Sequence, residues 1–113
     1  MPDHIEVRVT AGSPDEADRL ADAVVGRRFA ACAQIVGPIT SVYWWDGEMT
    51  RSREWLVLFK TTAERFGDLS GCVREVHSYD VPEIVAVPIA IGTADYLGWI
   101  DRETEGPAPE INR

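Results

Sequence analysis

Residues 41–50 read SVYWWDGEMT, and their centre predicts a tight β-hairpin. Asp46 and Gly47 form a two-residue turn of the kind that favours the type I′ conformation, because both residue types accept a positive φ. A long strand precedes the turn over residues 31–45, and the return strand ends in the apolar run Trp55–Phe59. A continuous apolar run is typical of a strand covered on both faces, so we predict that the return strand lies inside a sheet.

Two prolines mark irregular positions in the predicted strands. Gly37-Pro38 interrupts the first strand of the hairpin, and proline in a strand indicates a bulge or a sheet edge. Pro88 follows the short β-rich segment Glu83–Val87, which is therefore also expected at an edge or at a bulge. Residues 5–9 alternate apolar and charged side chains, which predicts one more, half-buried strand.

Capping patterns predict where the helices begin. Ser13-Pro14-Asp15-Glu16 combines an N-cap serine, a proline in the first turn and a capping-box glutamate, and helical spacing of apolar residues continues to about Phe29. Thr61-Thr62-Ala63-Glu64 is a second capping box, and Thr93 can cap a short last helix. The apolar residues that follow the second box at helical spacing are Phe66, Leu69, Val73 and Val76.

The predicted order of elements is β-α-β, β-α-β and then α. Two split β-α-β units joined by a hairpin make a ferredoxin-like α+β fold, with the helices on one face of the sheet. The 113 residues fit one domain over residues 1–113, which can bury a core without disulfides. Residues from about 105 to 113 are expected to be a flexible tail.

Composition and charge exclude several classes of function. The formal net charge is −8 with no basic run, which opposes binding to nucleic acid or to an anionic membrane. No apolar run approaches the ~20 residues of a membrane helix, and the N-terminus lacks the apolar core of a signal peptide. Cys32 and Cys72 lie far apart, outside any metal-ligand spacing, and are interpreted as small buried hydrophobes. We therefore expect a cytoplasmic protein.

The length of the hairpin favours association with another subunit. Its first strand, from Cys32 to Trp45, extends over ~46 Å at ~3.3 Å per residue, whereas a domain of this size has a radius of gyration near ~13 Å. The far end carries Tyr43, Trp44 and Trp45, which would expose a large apolar area. These aromatic residues could pack against each other and the helix ends, or a neighbouring subunit could cover them. We favour the neighbour, because protruding strand edges recruit other strands.

The segment His77-Ser78-Tyr79-Asp80-Val81-Pro82-Glu83 is the candidate functional site. It places an imidazole, a phenol and carboxylates in the turn between a helix and a strand. His77 and Glu83 are candidate ligands for a divalent metal ion, since neutral imidazole with a carboxylate suits such ions. His77 could instead be a helix-end histidine that bonds backbone or a carboxylate, and Glu83 a solvated strand residue. We assign Tyr79, Asp80 and Lys60 to a ligand-binding cleft. Taken alone, Lys60 at the end of a buried strand favours snorkelling into solvent over holding an anion.

Motifs of the common enzyme families are missing from the sequence. We find no phosphate-binding glycine loop, no GxSxG, no HExxH and no paired-cysteine metal signature. Ser78, His77 and Asp80 do not make a catalytic triad by adjacency, because a triad is defined by geometry. We therefore predict a protein that is not an enzyme and requires no cofactor.

Five segments combine into a specific pattern. They are FAACA at 29–33, SVYWWDG at 41–47, KTT at 60–62, HSYDVPEI at 77–84 and DYLGWI at 95–100. Together they resemble the CutA family of divalent-cation tolerance proteins, and the resemblance runs from about Val7 to Glu103. It implies a ferredoxin-like homotrimer without an accepted enzymatic activity, linked to tolerance of copper and other divalent cations, in which residues 77–83 line a cleft between subunits.

Departures from the family pattern bear on metal affinity. Ser78 replaces the usual proline. Members proposed to bind copper carry a cysteine before the first helix and a second histidine before the motif histidine, and these positions here are Ala11 and Val76. Of the ligands proposed in such members, this chain keeps only Glu83. His77 directly follows Val76, the position at which the second histidine is lost. The resemblance therefore implies weak copper binding.

Two other functions are compatible with a fold of this kind. A signalling module of the PII type shares the fold and the trimer and binds nucleotides or other small anionic ligands between subunits, but it would need a basic cluster near the cleft. An acylphosphatase would need a glycine-rich anion loop with an arginine, which this sequence lacks. A trimeric protein that binds divalent metal ions is the leading hypothesis.

Overall fold

A computed structural model describes residues 3–106, which form an antiparallel sheet and helices packed on it. Positions 107–113 of the predicted tail lie outside the described residues. The elements in chain order are β1 (His4–Ala11), α1 (Pro14–Gly26), β2 (Cys32–Trp45), β3 (Glu48–Thr62), a 3-10 turn (Ala63–Arg65), α2 (Phe66–Val76), β4 (Ile84–Pro88) and α3 (Ala94–Thr104).

The four strands are ordered β2-β3-β1-β4, and every neighbouring pair is antiparallel. This order is the predicted ferredoxin-like plan, because each β-α-β unit is split by a strand of the other. β4 lies at a sheet edge and ends at Pro88, as the proline indicated. The buried core joins β1 and β3 to α1 and α2 through Val7, Val9, Leu20, Val24, Val57, Phe59, Leu69 and Val73.

The hairpin turn confirms the prediction made from its two central residues. Asp46 and Gly47 both have positive φ, 52° and 79°, which the type I′ turn requires. The predicted irregularity in β2 is also present, since the pairing register shifts between Val36 and Ile39. A Cβ atom at Gly37 would collide with the indole of Trp55. The absence of a side chain at Gly37 therefore lets the Trp55 ring lie directly against the backbone of β2.

Residues 61–64 do not form the capping box that we predicted. β3 continues through Thr62, which pairs with His4 and makes no side-chain cap bond. The Thr61 side chain is buried, and its hydroxyl donates a hydrogen bond to the Phe29 carbonyl at 2.7 Å. This contact spans 32 residues. Strand pairing and a distant carbonyl therefore outcompete the local cap.

The two serine and threonine caps at the other helices are confirmed. Ser13 accepts a hydrogen bond from the Glu16 N–H at 3.1 Å, and Thr93 accepts one from the Tyr96 N–H at 3.4 Å. α1 ends at Gly26 rather than near Phe29. Arg28 adopts a φ of 62°, in the left-handed region, which turns the chain out of the helix.

The described residues leave two apolar surfaces open. At the tip of the hairpin Trp44 and Trp45 are 75% and 70% exposed. On the sheet, Leu56 and Leu58 alternate with the buried Val57 and Phe59 and are only half-buried, so they lie on the face away from the helices. We predicted that this run is covered on both faces. Within one chain only one face is covered.

Candidate functional site

A cavity of about 490 Å³ lies between the hairpin and the segment that joins α2 to β4. Three of its lining residues carry carboxylates, Glu54, Asp80 and Glu83, so the cavity attracts cations and repels anions. Five predicted site residues come together here, namely Tyr43, Trp45, Tyr79, Asp80 and Glu83. The remaining lining residues are Thr10, Ser78 and Val81.

His77 fixes the start of the segment by turning its side chain into the protein. The residue caps α2 with an extended backbone, and its side chain has no solvent exposure. Its Nε2 lies 2.6 Å from the Thr10 carbonyl oxygen, and its Nδ1 accepts the Tyr79 N–H at 3.0 Å. These partners place the proton of the neutral ring on Nε2. Both nitrogens are thus engaged by backbone groups.

Glu16 is a residue of this region that the sequence indicated only as a helix cap. Its carboxylate accepts the Gly12 N–H at 3.1 Å and the Ser78 N–H at 2.7 Å, and it lies 3.6 Å from His77 Nδ1. Burial would raise the pKa of Glu16, but the hydrogen bonds from Ser78 and Gly12 hold this pKa below its ordinary value. Glu16 therefore lies beneath the cavity as a carboxylate.

Glu54 and Tyr79 form a second polar contact at the cavity wall. The Tyr79 hydroxyl donates a hydrogen bond to Glu54 Oε2 at 3.0 Å. Burial, with the Glu54 carboxylate next, raises the pKa of Tyr79 to about 12. Gly12 leaves room for this phenol, since a Cβ there would lie 3.0 Å from the hydroxyl oxygen. No motif in the sequence indicated Glu54, because the two residues are 25 positions apart.

We expect an ultraviolet titration of the phenols to show one tyrosine that ionises near pH 12. The pKa of Tyr79 in the folded protein is higher than its ordinary value of 10.0. The burial of the protonated phenol and its contact with Glu54 therefore stabilise the fold fully below pH 10, and this contribution is lost as the pH rises through about 12. Tyr79→Phe should remove this step, and Glu54→Gln should move it to lower pH. An unchanged curve for Tyr79→Phe would assign the step to another phenol.

Three of the predicted site residues, Lys60, Trp44 and His77, do not line this cavity within one chain. The Lys60 ammonium donates to Gln34 Oε1 at 2.7 Å and lies 3.3 Å from Glu6 Oε1, so it is held by a carboxylate of its own sheet. Trp44 lies at the tip of the hairpin, largely exposed and outside the cavity lining. His77 lies behind the wall, with its ring centroid 4.6 Å from that of Tyr79.

The donor set of the cavity suits a weakly bound divalent cation. Carboxylate and phenol oxygens are ligands of hard cations, and the two cysteine thiols lie elsewhere. Residues 3–106 contain no preformed group of three or more His, Cys, Asp or Glu side chains that could hold a metal ion.

None of the helices in residues 3–106 is long and apolar enough to cross a membrane.

Comparison with known proteins points to one family. A family model described as CutA1 divalent ion tolerance protein matches residues 5–103. The divalent-cation tolerance protein CutA of Thermus thermophilus is 45% identical over 98 residues, covering 87% of this chain and 95% of that relative.

Solved structures of such proteins share the fold closely. A structure of the CutA of Archaeoglobus fulgidus, described as periplasmic, has a TM-score of 0.88 at 37% identity, covering 90% of this chain and 99% of that one. The divalent cation tolerance protein of Thermus thermophilus gives a TM-score of 0.88 at 43% identity with the same coverage.

Proposed function

The chain belongs to the CutA1 family of divalent ion tolerance proteins, and on that premise we propose that it is a homotrimer that binds copper and other divalent cations weakly at a cleft between subunits. The acidic cavity beside the hairpin carries this proposal, because it joins five residues that the sequence nominated and presents three carboxylates. The proposed activity is binding rather than catalysis.

Asp80 and Glu83 are the proposed first ligands, since both are exposed at the cavity. His77 is the proposed additional ligand for copper, which prefers nitrogen donors more strongly than calcium or manganese does. Copper would reach Nδ1 only by displacing the Tyr79 N–H. The loss of that hydrogen bond opposes binding and keeps the affinity low.

A neighbouring subunit would cover the apolar surfaces that are open in a single chain. Trp44, Trp45 and the 65% exposed Met49 form an apolar tip on the hairpin, and the sheet face that carries Leu56 and Leu58 is also open. A second and third copy of the chain could cover these surfaces and close the cavity, which supports a self-assembled trimer. The net charge of −8 gives no support to a nucleic-acid or membrane partner.

Calorimetric titration of the wild-type protein with Cu²⁺, Ni²⁺ and Mn²⁺ tests the proposal. We expect weak binding, with copper tightest. Asp80→Asn and Glu83→Gln should each weaken binding about tenfold, which corresponds to ~1.4 kcal/mol, because each removes a charge beside the ion. Asp18→Asn is the matched control, since Asp18 is an exposed carboxylate on α1.

Two results would overturn the assignment. Equal affinities in the Asp80 and Glu83 variants and the control would exclude the cavity as the cation site. Tighter binding of ATP than of any divalent cation would favour a nucleotide-binding signalling module. The acidic lining opposes that outcome.

We propose the cytoplasm as the compartment. Cys32 and Cys72 are both free thiols, which suits a reducing environment. The description of the Archaeoglobus protein as periplasmic applies to that relative. Cell fractionation of a tagged full-length chain decides between the two compartments.

A further inference from the structure

Glu16 is a charged side chain that is only 3% exposed, which is unusual for glutamate. A capping box needs only a bond from this residue back to the start of its own helix. Its carboxylate instead accepts the N–H of Gly12, the residue before the N-cap Ser13, and its other oxygen accepts the Ser78 N–H across 62 residues. This second bond joins α1 to the segment that lines the cavity.

We propose that Glu16 is a positioning residue that fixes the cavity loop, residues 78–83, and thereby sets the spacing of Asp80 and Glu83. This inference rests on the proposed cation binding for its functional consequence. Asp80 and Glu83 are themselves exposed, so their positions follow the backbone of the loop. The loop begins at the 2.7 Å bond from Ser78 to Glu16.

Charge-assisted hydrogen bonds support this role. A buried carboxylate that accepts two backbone N–H groups makes stronger bonds than a neutral acceptor does. The bond to Ser78 lies one residue from His77, whose ring accepts the Tyr79 N–H. Two consecutive amides of the loop, Ser78 and Tyr79, are thus held from below by side chains.

The variant Glu16→Asp distinguishes the effect of the carboxylate's position from the effect of its charge. Aspartate keeps the negative charge, so the field that the carboxylate exerts on a cation changes little, but it is one methylene too short to hold both N–H groups. We expect amide hydrogen exchange at Ser78 to accelerate at least about tenfold in the metal-free protein. We expect the affinities for Mn²⁺ and Cu²⁺ to fall about tenfold, whereas Glu16→Gln should lose a similar amount or more.

Ser13→Ala is the matched control, because it removes the other cap of α1 without touching the loop. It should leave exchange at Ser78 and the cation affinity unchanged. Equal effects of Ser13→Ala and Glu16→Asp would show that Glu16 acts only as a helix cap. Wild-type affinity in Glu16→Asp with weakened binding in Glu16→Gln would show that only its charge acts.

The exchange measurement also separates this inference from the proposed function. If the wild-type protein binds none of the tested cations, the proposed function fails. Faster exchange at Ser78 in Glu16→Asp alone would then still establish that Glu16 positions the loop. Unchanged exchange at Ser78 would overturn the inference whatever the cation affinity.

Discussion

Replacing Trp44 and Trp45 together by alanine is expected to convert the proposed trimer into a monomer at micromolar concentration. Both indoles are largely exposed in a single chain, so a subunit interface is the environment that would bury them. Truncating a buried aromatic side chain typically destabilises by ~3–5 kcal/mol. A change of ~1.4 kcal/mol alters an equilibrium constant tenfold, so the double variant should shift dissociation by several orders of magnitude.

Light scattering measures this result directly. The wild-type protein should scatter as three chains of 12.5 kDa, and the double variant as one. Ile91→Ala is the control, since Ile91 is an apolar side chain of 90% exposure outside the hairpin. A wild-type monomer would contradict the proposed assembly. An intact trimer in the double variant would show that the indoles do not hold the subunits together.

Elements that depend on neighbouring residues could be predicted from the sequence. The turn at Asp46-Gly47 and the caps Ser13 and Thr93 involve contacts within four positions, and the structure confirms all of them. The sequence of Thr61-Thr62 satisfied the same capping rule, and there the prediction was wrong. β3 extends through these residues because β1 supplies a pairing partner, His4 for Thr62, which no local pattern contains.

The same distinction between local and distant contacts applies to the candidate site. Residues 77–83 were nominated because their chemistry is concentrated in seven consecutive positions, and several of them do line a cavity. Glu16 and Glu54 were missed as site residues, since their contacts to Ser78 and Tyr79 span 62 and 25 positions. Only the folded chain brings these carboxylates beneath and beside the loop. Their role depends on topology, whereas the loop's composition is visible in the sequence.

His77→Ala is expected to lower the free energy of unfolding by ~3 kcal/mol or more in the metal-free protein. The substitution leaves the Thr10 carbonyl and the Tyr79 N–H without their buried partner, and each unsatisfied group costs ~1–3 kcal/mol. The empty volume of the imidazole adds to this loss. Urea unfolding at a fixed protein concentration measures the effect. His4→Ala is the matched control and should cost less, because the His4 ring bonds one half-exposed partner, Asp101, rather than two backbone groups.

The same variant separates the two roles of His77 once cations are added. If His77 only supports the loop, its removal should weaken the binding of Cu²⁺ and Ca²⁺ by the same factor, because in our proposal both ions would use the carboxylates of Asp80 and Glu83. A residue that also ligates copper should weaken Cu²⁺ further, since imidazole is a poor ligand for calcium. Our proposal predicts the second pattern, with copper losing about tenfold more affinity than calcium. Equal losses for the two ions would leave His77 as a buried hydrogen-bonding residue and restrict the cation site to the oxygen ligands of the cavity.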